Sequence, residues 1–72
     1  MQTYTITCFA FIDHNTIPSQ LGAFSLNSPT KKIARAKGEI ALEFALMALQ
    51  EKTDHTISKG FIRVHKNREE LN

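Results

Sequence analysis

One run dominates this chain: SPTKKIARAKGEIALEFALMALQEK, residues 28–52, with apolar side chains at helical spacing along most of its length. In a chain of 72 residues, a run of that length commits the fold to one long helix, and everything else must be arranged around it. Ser28 is a good N-cap, and Pro29 stands where proline is favoured, at the first helical position. The pattern breaks at TDHT, so the helix is expected to end near Glu51. Gly38 costs about 1 kcal/mol relative to alanine in a helix interior. It marks a kink or a place where another backbone comes close.

The helix is apolar on two sides. At about 100° per residue, Ile33, Ala36, Ile40, Phe44 and Met47 form one stripe, widened by Ala34, Ala41, Ala45 and Ala48. This is the side expected to face a sheet. Leu42, Leu46 and Leu49 fall roughly opposite, and Lys32, Glu39, Glu43 and Gln50 lie between the two stripes. One helix on one small sheet cannot bury both. Burial of each leucine is worth about 1.5–3 kcal/mol, and three left exposed make a sticky patch. Leu42, Leu46 and Leu49 are therefore expected to serve as a dimer interface or a docking surface. The competing reading folds the loop at residues 13–22, or the C-terminal tail, over them. Because that loop offers only Ile17 and Leu21 as cover, the interface is favoured.

The helix entrance is basic. Formal net charge is only +2, but residues 1–38 set Lys31, Lys32, Arg35 and Lys37 against Asp13 alone. Cations at a helix N-terminus oppose its macrodipole, at about 0.3–1 kcal/mol each when exposed. Lys31 and Arg35 also form a like-charged i,i+4 pair. Helix stability does not ask for this arrangement. Two readings stay open: the cations meet phosphates or an acidic protein surface, or they are a solvated helix end whose small cost is tolerated.

The flanks read as strands. In QTYTITCFAFI, residues 2–12, Tyr4, Ile6, Cys8, Ala10 and Ile12 share one face and Thr3, Thr5 and Thr7 the other. Phe9 and Phe11 continue the threonine face, so its far end is expected to be covered on both sides. Residues 13–22, with proline and glycine punctuation, read as a loop, and AFSL, residues 23–26, as a short second strand. ISKGFIRVHK, residues 57–66, reads as the last strand, with Ile62 and Val64 facing one way and Phe61, Arg63 and His65 the other. Lys59, Arg63 and His65, interleaved with Phe61, have the composition of a nucleic-acid-binding sheet surface; taken alone, the strand is better read as an edge kept soluble by charge. The expected fold is α+β: one domain over residues 1–66, in the order β-β-α-β, with a small antiparallel sheet and one long helix across one face. Residues 67–72 form a charged tail.

Several kinds of chemistry find no support. Hydrophobic content of 42% and charged content of 22% are those of a globular chain, so global disorder is not expected. Cys8 is the only cysteine, which rules out an internal disulfide, and its place on a strand's core face makes it a small hydrophobe rather than a nucleophile. His14 and His55 each follow an aspartate and could share a metal if their turns met, but no ligand spacing supports that. The three glycines stand apart, so no phosphate-cradling loop is present. No enzyme activity and no cofactor are expected. No apolar run approaches the roughly 20 residues that span a bilayer, and the N-terminus lacks the basic start and cleavage site of a signal peptide. A cytoplasmic location without membrane contact is expected.

The run SLNSPTKKIARAKGE, residues 25–39, preceded by a hairpin and followed by a strand, resembles in layout small phage-encoded anti-CRISPR proteins of strand-strand-helix-strand order. The resemblance covers the element order and this run. It implies a protein that docks on a host surveillance complex and blocks or redirects its DNA recognition, and it carries over no binding residues. Non-catalytic binding to a host protein or nucleoprotein complex is therefore the expected function. The alternative is a dimeric nucleic-acid-binding regulator whose basic helix ends meet the phosphate backbone.

Overall fold

The computed structural model describes residues 1–67; most of the charged tail expected at residues 67–72 lies outside the described residues. The elements are β1 (Gln2–Ile12), β2 (Ser19–Ser28), α1 (Lys31–Lys52) and β3 (Ile57–Lys66). The strands form one antiparallel sheet in the order β2-β1-β3. The helix lies across one face, packed most against β3. This is the α+β architecture that the alternation in β1 and the helical run predict.

β1 is central because it alternates most cleanly. Tyr4, Ile6, Cys8 and Ala10 are buried under the helix, where Ile62 and Val64 of β3 join them. Two bulges adjust the edges. One sets Leu21 as an extra residue in β2 between Gly22, opposite Cys8, and Gln20, opposite Phe9, and Leu21 packs against the core. The other lies in β3 and places Lys59 and Gly60 where β1 has only Ala10. Lys59 takes a φ of 47° there, a left-handed conformation that glycine would adopt more readily. The glycine is needed one residue later, since a Cβ on Gly60 would come within 2.6 Å of Leu46 Cδ1.

β2 begins at Ser19, four residues before the expected start. Pro18 immediately precedes the strand and Gly22 sits at a bulge of an edge strand, both positions where these residues are tolerated. The helix starts two residues later than expected. Ser28 is fully buried at the end of β2, opposite Gln2, and its Oγ donates to the Thr30 carbonyl at 2.8 Å. Thr30 is the cap, and its Oγ1 accepts from the Ile33 amide at 3.2 Å.

The main correction concerns which side of α1 faces the sheet. The buried helix residues are Ala34, Gly38 and Leu42, with Leu46 packed against the same core. Ile40, Phe44 and Met47 point outward, 57%, 68% and 62% exposed. Steric fit explains the reversal. A Cβ on Gly38 would lie 2.9 Å from Ile6 Cγ2 and 2.9 Å from Ile62 Cδ1, so the helix crosses the sheet where only glycine fits. Alanine one turn earlier and leucine one turn later complete that face. Leu42 is therefore core, 4% exposed, while Leu46 and Leu49 are half-buried, and the surplus apolar stripe is the isoleucine, phenylalanine and methionine one.

Gly38→Ala therefore sets two effects against each other: a helix-propensity gain of about 1 kcal/mol and an overpacking cost of about 1–3 kcal/mol. Urea denaturation should show net destabilisation, whereas Gly→Ala on a free helix surface stabilises. Leu42→Ala should cost about 2–5 kcal/mol in the same assay.

Candidate functional site

With the helix on one face, no other element among the described residues covers the opposite face of the sheet, the open face, and its side chains come from alternate positions of the strands. Phe9 stands opposite Phe61, Thr7 opposite Arg63 and Thr5 opposite His65. The Phe9 and Phe61 rings are stacked, with centroids 5.0 Å apart and planes at 13°. Phe11 leans on Phe61 at 6.2 Å and 40°. The Arg63 guanidinium carbon sits 5.6 Å from the Phe9 ring centroid. Aromatic pairs of this kind add about 0.5–1.5 kcal/mol beyond their buried area, and an exposed cation–π contact adds about 0.5–1 kcal/mol. The cluster is thus a shaped surface of three rings and a guanidinium, with Phe61 still 37% exposed.

The bulge in β3 extends this surface. It restores the alternation so that both Phe61 and Ser58 lie opposite residues of the open face, Phe9 and Phe11. Beside Phe11 it opens a shallow depression of about 350 Å³ lined by Phe11, His14, Asn15, Ser58 and Lys59. No acidic residue occurs in any of the three strands, whose only charged residues are Lys59, Arg63 and Lys66, with His65 beside them. The acidic residues within residues 1–67 are confined to α1 and the turns at Asp13 and Asp54. Among the described residues, the open face is therefore aromatic and its charged side chains are all basic.

The expected basic residues divide between two places. Lys59 and Arg63 belong to the open face. Lys31, Lys32 and Arg35 are exposed in the first turns of α1, which begins at the end of the sheet where β2 and β3 finish. They therefore share that end with His65 and Lys66. Lys37 is exposed further along the helix, on its outward side. The first turn of α1 holds no acidic residue, so the unfavourable interaction with the helix dipole stands in the folded chain. Leu42, Leu46 and Leu49 do not form the exposed docking surface expected of them. Sequence reasoning also missed the joining of Phe9 and Phe11 with Phe61. Their common phase within each strand was visible, but the β1–β3 register that unites them was not.

At the opposite end, the two Asp-His turns meet. Asp13 and His14 both have positive φ, 51° and 64°, and the Asn15 amide donates to the Ile12 carbonyl at 3.1 Å. This is the pattern of a type I′ turn without its usual glycine. The Asp13 amide donates to the Thr56 carbonyl at 2.9 Å, and its Oδ1 accepts from the Thr56 amide at 2.9 Å. Oδ2 pairs with Nδ1 of His55. Gln50 secures the same corner, donating to the His55 carbonyl at 3.0 Å. Asp13 is thus committed to a clasp between the β1–β2 loop and the start of β3. Among the described residues, no group of three or more His, Cys, Asp or Glu side chains is placed to hold a metal. Cys8 is buried beneath the helix, and burial, followed by the nearby Glu39 carboxylate, pushes its thiol pKa up, away from nucleophile chemistry. No helix among the described residues is long and apolar enough to cross a membrane.

The Asp13 clasp makes stability depend on pH. The Thr56 amide, and after it His55, hold the Asp13 carboxyl below its ordinary range. A depressed folded-state pKa gives stability that is present above the unfolded value, about 3.9, and is lost as pH falls through the folded one. Asp13→Asn should lower the melting temperature near pH 6, and the difference from the parent chain should shrink in acid below about pH 4.

Compared with known proteins, the chain matches no family model, and no curated protein or solved structure shows significant similarity to it.

Proposed function

We propose that this chain is a non-catalytic binding protein whose open sheet face holds single-stranded nucleic acid. The observation that carries this reading is the Phe9–Phe11–Phe61 cluster with Arg63 over Phe9, set in a sheet whose only charged side chains are basic. Bases stack on exposed aromatic rings with little regard to sequence, while lysine and arginine beside them track the phosphates. Phe61 offers the stacking surface, and Arg63, already oriented by its contact with Phe9, offers a planar guanidinium for a phosphate or a base edge. Lys59 and His14 flank the depression beside Phe11, which gives a neighbouring nucleotide a place to lie. His65, Lys66 and the cations at the start of α1 continue the positive path toward the far end. This reading takes up the alternative drawn from the sequence, nucleic-acid binding, in place of the favoured docking on a host complex, and moves its centre from the helix entrance to the sheet.

Fluorescence anisotropy with a labelled 12-nucleotide single strand, titrated at 50–200 mM salt, tests the proposal. Binding should weaken with salt by about 0.7 in log–log slope for each phosphate neutralised. Phe61→Ala should weaken it about 10-fold at unchanged slope, and Arg63→Gln should weaken it and flatten the slope. No saturable binding at low salt would overturn the reading. A defined host protein complex retained by the chain after nuclease treatment, through the same face, would put the anti-defence docking role in its place.

A further inference from the structure

We infer that α1 pairs antiparallel with α1 of a second copy of this chain, through its outward stripe, with Phe44 at the two-fold axis. The stripe runs Ile33, Lys37, Ile40, Phe44, Met47, Glu51, at alternating spacings of four and three residues. That spacing is the seam by which helices pair with one another. Its apolar members are the exposed large hydrophobic side chains of the helix, with Phe44 at 68% and Met47 at 62%. The sheet already occupies the opposite side of α1, and none of the described residues covers the seam.

Charge selects both the occupant and its direction. Lys37 and Glu51 lie on the seam, each seven residues from Phe44 and on opposite sides of it. A two-fold axis at Phe44 therefore brings Lys37 of each copy against Glu51 of the other, about 10 Å along the helix from the centre at 1.5 Å per residue. The pairing is isologous: one patch with its two signs placed symmetrically fits its own copy. A parallel pair would instead set Lys37 against Lys37 and Glu51 against Glu51. Ala41 and Ala48 line one flank of the seam and let the helices approach. On the other flank Glu43 meets its own counterpart near the axis, the one like-charged meeting the geometry imposes. The pair leaves both open sheet faces pointing away from each other.

Sedimentation equilibrium of the full chain, without nucleic acid, over about 1–300 μM tests the inference. The parent chain should sediment with twice the monomer mass in the upper part of that range. Phe44→Glu should be monomeric throughout with an unchanged circular dichroism spectrum. Lys37→Glu should weaken association roughly 3- to 10-fold, since two exposed ion pairs per dimer become repulsive, and adding Glu51→Lys should restore it. Glu43→Gln should strengthen it. A chain monomeric at every concentration would overturn the inference, as would a dimer indifferent to Phe44→Glu and to the charge exchange. Capture of a different protein by the stripe of a monomeric chain would assign the face to that partner instead.

Discussion

At Gly38 the helix backbone presses against the methyl groups of Ile6 and Ile62, with no space for even one added carbon. The rest of the molecule follows from this contact. Because Gly38 faces the sheet at that distance, the residues one turn to either side, Ala34 and Leu42, face it too. Ile6 beneath them is fully buried. Rotating the helix to bury Ile40 and Phe44 instead would put branched and aromatic side chains where the sheet already supplies Tyr4, Ile6, Ile62 and Val64. Close packing decides in favour of the small residues, although the outward stripe is also strongly apolar.

The element order and the sheet-plus-helix architecture are legible in the sequence, because the alternation in β1 and the length of the helical run are strong periodic signals. The orientation of the helix is not, because periodicity counts apolar residues without asking how much room each finds. Gly38 held the missing information: a glycine that weakens a helix by about 1 kcal/mol is tolerated where close approach requires it, so its own face is the one to bury. The start of β2 was hidden for a related reason. Pro18 and Gly22 carry the usual meaning of a loop, yet an edge strand with a bulge accommodates both. The open-face cluster was half legible. Phe61 and Arg63 stand in phase within β3, and Phe9 and Phe11 within β1, but only the register that places Phe9 opposite Phe61 makes one surface of them.

Placing the helix on one face of a three-stranded sheet produces a molecule with two unlike exteriors. One is the sheet face away from the helix, aromatic and basic among the described residues. The other is the back of the helix, apolar along its centre and of opposite charge at its two ends. The sheet face has the composition of a surface for a polyanion carrying flat rings, and the helix back has the symmetry of a surface for its own copy. The two do not compete for space. A chain this small buries only about 60% of its unfolded surface, and using the helix back for association also adds burial that a single core of this size lacks.

Both exteriors depend on which side of α1 meets the sheet, and nuclear Overhauser contacts from a methyl-labelled sample read that without ambiguity. The structure predicts cross-peaks from the Gly38 α-protons to the Ile6 and Ile62 methyl groups, and from Leu42 to the methylene protons of Gly60. Phe44 and Met47 should show none to Ile6. Cross-peaks from Phe44 or Ile40 to Ile6, with Gly38 silent, would mean the helix is turned the other way. The outward seam would then be core, and close approach at Gly38 would no longer explain the fold.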